Sequence, residues 1–494
     1  MRYQSGLAGE AAAARQQCRR LFVTSEIADF LKVGGLGEVS ASLPRALQRV
    51  SDARVLLPGY RSVLNANPSM RIVAKLPGLA EIPACEIGEI TTTDGLTMYI
   101  VISGSLFDRS GSAYADEKSN PWDDNDIRFA RLALAAAELA RGVPGIDWQP
   151  DILHLNDWPG ALAAGYLNWQ RVGVPSILTI HNLAYQGIYD RDRLSRLGIP
   201  SEAFNMDGVE FHGRLSFLKA GIYYASQITT VSATYAQEIT TPEFGCGMDG
   251  LLRARSEQGR LFGILNGIDE SWDPRTDPHL EHPFDATDWR GKQANAHHLR
   301  DALGLAVSRG PLFAVVSRLV HQKGLDLTMA AVDSIVHDGG QLAVIGEGDA
   351  EVENALRATA ERHAGSVAIK IGYDEKTARR IFAGSDFLLM PSRFEPCGLS
   401  QMYAQRFGSL PIAHNTGGLN DTIEDGATGF LFRNPSNETF MAAIHRARSV
   451  FQRKDDLASM RQRAMSRSFG WKKAVHAYMD VYRRALTNEV RAAA

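Results

Sequence analysis

Short apolar, β-branched runs recur along the chain between Ala-rich stretches of helical period. A first series comprises Arg20–Thr24, Asp151–Leu155, Ser176–Ile180 and Gln227–Val231. A second comprises Leu312–Val316, Gln341–Ile345, Val367–Ile371, Phe387–Met390 and Leu410–Ala413. Strand-length runs alternating with helical ones predict βαβ units and parallel sheets. The pattern therefore specifies an α/β chain with two doubly wound, Rossmann-like domains at 20–265 and 311–470. Residues 1–19 read as an N-terminal extension. The stretch 266–310, rich in Asp, Pro, His and Arg with Trp272 and Trp289, reads as a linker with some helix. In 471–494, Ala474, Val475, Tyr478, Met479, Val481 and Tyr482 recur at helical spacing, which predicts a closing helix that packs back on the first domain. Ligands of doubly wound folds sit beyond the carboxyl ends of the strands, so the cleft between the domains is the expected site.

Composition narrows the classes. A chain of 494 residues suits about three domains or two large ones. Lys+Arg 53 against Asp+Glu 56 and 45% apolar residues exclude disorder and general nucleic-acid binding. Cys18, Cys85, Cys246 and Cys397 lie far apart, fitting neither a disulfide framework nor a zinc site. No run matches a signal peptide or a membrane span, so a cytoplasmic protein without a membrane partner is expected. No pattern in the chain specifies an oligomeric state.

Polar and glycine residues cluster just after the apolar runs. Phe30-Leu-Lys-Val-Gly-Gly-Leu-Gly-Glu-Val39 is a glycine-rich turn leading into a helical run. It is either an ordinary tight turn or one that brings N–H groups to an anion, and Lys32 favours the second. It is neither a Walker loop nor a full dinucleotide fingerprint. Arg318 and Lys323 follow the first strand of the second series, where two cations suit a diphosphate. Glu395 lies in Met390-Pro-Ser-Arg-Phe-Glu-Pro-Cys-Gly-Leu399, placed to bond a sugar hydroxyl or to stabilise positive charge on a sugar ring, and Asn415-Thr-Gly-Gly-Leu419 makes another glycine turn. Cys397, with no His partner in the pattern, reads as packing more than as a nucleophile. In the first domain, His154-Leu-Asn-Asp-Trp158 and Thr179-Ile-His-Asn-Leu-Ala-Tyr-Gln-Gly187 stand at strand ends. Asp157, His181 and Asn182 make a polyol-binding edge there, with Trp158 or Tyr185 as a stacking face.

In this order, K-V-G-G-L-G-E-V, T-I-H-N-L-A-Y-Q-G, V-S-R-L-V-H-Q-K-G-L-D, P-S-R-F-E-P-C-G-L and N-T-G-G-L resemble the bacterial glycogen synthase and plant starch synthase family, from about Leu21 to about Tyr482. The resemblance implies a GT-B architecture and a retaining glucosyltransferase. Its donor would be ADP-glucose, its acceptor the non-reducing end of an α-1,4-glucan, and it would need no metal or cofactor. Carried over motif by motif, Glu395, His181, Arg318, Lys323 and Asp157 would be catalytic. Lys32, Gly35, Asn266, Arg318, Lys323, Gly372, Tyr373, Cys397, Gly398, Leu399, Thr416, Gly417 and Gly418 would bind the donor. Tyr114, Asp157 and Asn182 would bind sugar.

Four positions depart from the family pattern. Asn156 and Pro159 replace histidine and histidine or glutamine around Asp157, Glu38 replaces an aspartate, and Ala113 a proline. Retention is compatible with double displacement or with same-face attack. The second is favoured, with the leaving diphosphate oxygen taking the acceptor proton. A glycogen phosphorylase would need a lysine-bound pyridoxal phosphate, for which no motif is present. An NAD enzyme is disfavoured because Gly346-Glu-Gly-Asp-Ala-Glu351 lacks the third glycine. A non-catalytic glucan-binding scaffold would not need both Lys32 and Glu395.

Overall fold

The computed structural model describes residues 18–492, with side chains up to residue 487. The extension expected at 1–19 lies outside the described residues up to residue 17. The chain divides into two compact units, residues 1–267 with 471–494, and residues 268–470.

The first unit is built on a nine-stranded sheet. In spatial order its strands are Leu261–Gly263, Gln227–Thr230, Ser176–Ile180, Ile152–Asn156, Arg19–Val23, Asp52–Pro58, Thr97–Ile102, Cys85–Thr91 and Arg71–Leu76. Pairing is parallel as far as Thr97–Ile102, and the last two pairings are antiparallel, with Cys85–Thr91 reversed. Asp52–Pro58 and Leu261–Gly263 were not among the expected strands, and neither was that edge. Its signal was Asp94-Gly95 between two alternating runs, and Gly95 has the positive φ of 89° that such a hairpin turn demands. A small antiparallel sheet of Ile188–Tyr189, Arg214–Ser216 and Glu210–Phe211 lies in the same unit.

Chain order reverses between Arg19–Val23 and Ile152–Asn156, because their successors, Asp52–Pro58 and Ser176–Ile180, lie on opposite sides. A switch point of this kind opens a crevice at the strand ends. The closing helix, Lys472–Ala492, packs on this unit as expected. Tyr482 is fully buried, with its OH 2.7 Å from His154 Nδ1 and the Arg20 guanidinium 4.7 Å from its ring centre.

The second unit holds a six-stranded, wholly parallel sheet in the order Val367–Ile371, Gln341–Gly346, Leu312–Val316, Phe387–Met390, Leu410–His414 and Phe430–Phe432. Its switch point lies between Leu312–Val316 and Phe387–Met390, the strands that carry the Lys323 and Glu395 loops.

The stretch read as a linker at 266–310 is different in the structure. From Ile268 onward it belongs to the second unit. Trp272 stacks on Tyr403 with ring centres 3.7 Å apart, and the Arg379 guanidinium lies 3.9 Å over the Trp272 ring. Arg379 also bonds Asp277 at 2.7 Å, and both side chains are almost fully buried. Helix Arg290–Ala302 packs on helix Glu375–Gly384. The polar composition reads as a linker, but these charges are paired inside the fold, which local pattern does not reveal.

Candidate active site

In the first unit the glycine turn follows the first strand, and helix Gly35–Gln48 starts from Gly34. Glu26, which the sequence reading overlooked, organises it. Its Oε2 accepts from Val33 N–H at 2.7 Å and Gly34 N–H at 3.0 Å, and its Oε1 accepts from Tyr114 OH at 2.8 Å. Two of the turn's N–H groups, those of Val33 and Gly34, are therefore engaged by the protein's own carboxylate. Lys32 is ion-paired with Glu38. Tyr114 OH also lies 2.8 Å from Ser25 Oγ, and burial, reinforced by the Glu26 charge, holds its phenol well above the usual value.

Asp157 opens helix Asp157–Trp169 with φ at 49°, and its Oδ1 accepts from His181 N–H at 2.7 Å and Asn182 N–H at 3.3 Å. Two adjacent strand ends are thus tied by one carboxylate. Asn156 Nδ2 donates to Val23 O at 3.0 Å, which turns its Oδ1 to His181 Nε2 at 2.9 Å. An amide oxygen only accepts, so His181 carries its proton on Nε2 and presents an unprotonated Nδ1. This is the work of the unusual Asn156. Pro159 falls in the first helical turn, where a missing N–H costs nothing.

Trp158 is not a stacking face. It packs edge-on against Phe129 with ring centres 4.7 Å apart, and Tyr185, at 49% exposure, is the accessible aromatic. Asn266 is buried, and its Oδ1 has no hydrogen-bond partner among the described residues.

Burial sets the protonation of this half. It pulls His181 down to about 3 and His154 well below the usual imidazole value, while it pushes Asp157 up to about 7 against the two N–H bonds. Neutral His181 protonates on unfolding below about pH 6.5, so it makes stability rise with pH from about 3 to about 6.5, and His154, also pulled down by burial, acts in the same direction. Asp157 acts oppositely from about 4 to about 7, because its folded form holds the proton more tightly. With two groups against one, these three make the first unit more stable at about pH 6.5 than at about pH 4.5. Urea midpoints at the two pH values measure this, and His181→Asn should narrow the difference. An unchanged difference in that variant would mean that His181 is solvated.

In the second unit Lys323 closes the one-turn helix His321–Lys323, and Gly324, at φ 66°, starts helix Leu325–His337. A Cβ at Gly324 would lie 2.0 Å from Pro391 O, so glycine is needed for the Lys323 and Glu395 loops to touch. Lys323 Nζ donates to Glu395 Oε2 at 2.6 Å, and Ser392 Oγ donates to the same oxygen at 3.0 Å. Arg318 NH2 reaches Gln322 Oε1 at 3.5 Å, while Gln322 Nε2 bonds Phe394 O at 3.1 Å.

Gly417 and Gly418 serve close packing. A Cβ on either would lie 2.0 Å from the carbonyl oxygen of Glu395 or Cys397, respectively, and Gly418 N–H donates to Glu395 O at 3.0 Å. That N–H, expected to face a phosphate, is engaged within the protein. Thr416 caps helix Gly417–Thr422, Cys397 is buried, and Gly398 and Leu399 lead into helix Ser400–Arg406. Gly372 and Tyr373 follow strand Val367–Ile371, with Tyr373 at 44% exposure. Among the described residues, no three His, Cys, Asp or Glu side chains are grouped to hold a metal ion, and no helix is long and apolar enough to cross a membrane.

The structure thus gathers Asp157, His181 and Asn182 at two adjacent strand ends of the first unit, and Lys323 and Glu395, with Arg318 linked through Gln322, in the second. Residues 20–254 match the family model described as starch synthase catalytic domain, and residues 304–464 the one described as glycosyl transferases group 1. A glycogen synthase of Pseudomonas putida is 56% identical over 94% of this chain and 89% of its own length. Glycogen synthase 1 of Bradyrhizobium diazoefficiens is 55% identical over 92% of this chain and 99% of its own. The chain belongs to the glycogen synthase and starch synthase family.

Among solved structures, the catalytic domain of starch synthase IV from Arabidopsis thaliana, bound to ADP and acarbose, matches with a TM-score of 0.83 and 32% identity, covering 96% of this chain and all of that one. A sucrose-phosphate synthase of Thermosynechococcus elongatus, at TM-score 0.61 and 15% identity, shares the fold. These neighbours are GT-B glycosyltransferases, and this synthase-family chain has that fold, with two Rossmann-like units.

Proposed function

We propose that the chain is a cytoplasmic glycogen synthase that transfers glucose from ADP-glucose to the non-reducing 4-hydroxyl of an α-1,4-glucan with retention, and needs neither metal nor cofactor. The observation that carries this reading is the Lys323–Glu395 pair, its carboxylate buried, on two switch-point loops, in a chain 32% identical over nearly its whole length to a synthase bound to ADP and acarbose. In this reading Arg318 and Lys323 neutralise the leaving diphosphate, and Glu395 stabilises charge on the transferring sugar. Asp157, His181 and Asn182 hold glucose and acceptor. Neutral His181, with Nε2 engaged by Asn156, offers Nδ1 as an acceptor for a sugar hydroxyl.

Retention follows from attack on the face the diphosphate leaves, with a diphosphate oxygen taking the acceptor proton. The protein supplies position and fixed charge, which account for most of the rate.

A glucan-primed assay of the purified protein, with ADP-glucose and UDP-glucose side by side, tests class, donor and acceptor together. We expect higher kcat/KM for ADP-glucose, and Tyr373→Ala should raise the KM for donor more than that for glucan, because Tyr373 offers an exposed ring at a strand end. Excess chelator should leave turnover intact. Equal use of UDP-glucose would overturn the donor assignment, and loss in chelator reversed by one divalent ion would overturn the metal-free account.

A further inference from the structure

His414 ends strand Leu410–His414, two residues before Thr416, and is almost fully buried. Its Nδ1 lies 2.8 Å from Ser392 O and its Nε2 lies 2.8 Å from Arg433 O. Both partners are backbone carbonyl oxygens, which only accept. A neutral imidazole has one N–H, so one of these contacts would set a ring lone pair against a carbonyl lone pair. Two bonds require two ring protons.

The Ser392 end leads into the site. Ser392 Oγ donates to Glu395 Oε2 at 3.0 Å, and Lys323 Nζ donates to that oxygen at 2.6 Å. The Arg433 end follows strand Phe430–Phe432, which pairs with the strand of His414. Farther along the Glu395 loop, Gln322 takes Phe394 O and Gly418 takes Glu395 O. Arg393 N–H donates to Gln322 O at 2.9 Å, so the loop is anchored at each residue from Ser392 to Glu395, and His414 supplies the anchor at Ser392.

We propose that His414 is held as an imidazolium whose two N–H groups brace the Ser392 backbone against Arg433, which makes it a positioning residue for the Glu395 carboxylate. The inference rests on the reading that Glu395 acts in glucosyl transfer. His414 touches no reacting atom. It restricts where the Ser392 hydroxyl, and through it the carboxylate, can lie, and small displacements of a reacting group lower turnover steeply.

The test uses the full-length protein labelled with 15N-histidine. The His414 resonances, identified by their loss in His414→Arg, should show two protonated ring nitrogens at about pH 7.5, where an unperturbed imidazole is mostly neutral. One unprotonated nitrogen would overturn the proposal. In the glucan-primed assay, His414→Gln should lower kcat about tenfold to a hundredfold with KM for donor little changed. His414→Arg, which keeps a cation with several donors, should recover most of it.

A double-mutant cycle separates positioning from a general structural role. In a Glu395→Gln background, His414→Gln should cost less than about twofold, because no carboxylate remains to place. An equal loss in both backgrounds, or unchanged kcat in His414→Gln alone, would overturn the brace. Undiminished turnover in Glu395→Gln would instead count against the site assignment, while the nitrogen signals test the imidazolium by itself. Should His414→Gln not fold, the signals and the His414→Arg kinetics still decide.

Discussion

Glu395→Gln is expected to fold normally and to lose about 10² to 10³ in kcat. Glutamine keeps the shape of the side chain and an oxygen for Ser392 Oγ, now at 3.0 Å, but removes the charge opposite Lys323 Nζ. A group that stabilises developing charge in a buried site is worth far more there than in water, and Glu395 is only 6% exposed. Lys323→Met should lose a similar factor in rate and also lower the urea midpoint, since it leaves a buried carboxylate with a neutral partner only. The comparison is informative. Glu395→Gln with turnover near that of the unaltered protein would remove Glu395 from the reaction.

The largest loss of stability is expected from Lys292→Met. Lys292 is 3% exposed, and its Nζ donates to Phe407 O at 2.8 Å, Ala383 O at 3.0 Å and Phe382 O at 3.3 Å. These carbonyls end helices Glu375–Gly384 and Ser400–Arg406, where the last turns have no donors of their own. Burial pulls the amine well below its usual value, with the Asp386 charge acting against it. Methionine fills the same space and strands all three, at about 3–5 kcal/mol. For a unit of this size that lowers Tm by roughly 10 °C. Calorimetry measures it. A Tm within about 2 °C of the unaltered protein would mean that water replaces the amine.

Lys292 also marks where sequence reading stopped. It sits among Arg, Gln and His residues in a stretch that read as a linker, and nothing within several positions shows that it points into the fold. Hydrophobic period did locate elements well. Ser176–Ile180, Leu312–Val316, Val367–Ile371 and Phe387–Met390 are strands with the bounds that their apolar runs predict. Buried parallel strands are continuous apolar runs, a signal carried by adjacent residues alone. The antiparallel edge at 71–102 carries the weaker alternating signal and was passed over.

The candidate site divides along the same line. Glycine turns, cations and carboxylates stand just after strands in the sequence, because chemistry in such sheets gathers at strand ends. Their order along the chain was enough to name the family. Their partners were not legible. Glu26 bonds Tyr114 across 88 positions, Lys323 meets Glu395 across 72, and His414 reaches Ser392 across 22.

What the sequence by itself determined is local: which residues form strands, which turns need glycine, and which motifs recur in family order. The tertiary structure alone decided that Glu26 takes the Val33 and Gly34 N–H groups of the glycine turn, that Asn156 sets the His181 tautomer, and that the stretch from Ile268 is part of the second unit. The physical reason is one of range. Periodicity and turn chemistry act between neighbours, whereas the protonation and orientation of a polar group depend on what packing buries beside it, and that is chosen by the whole fold.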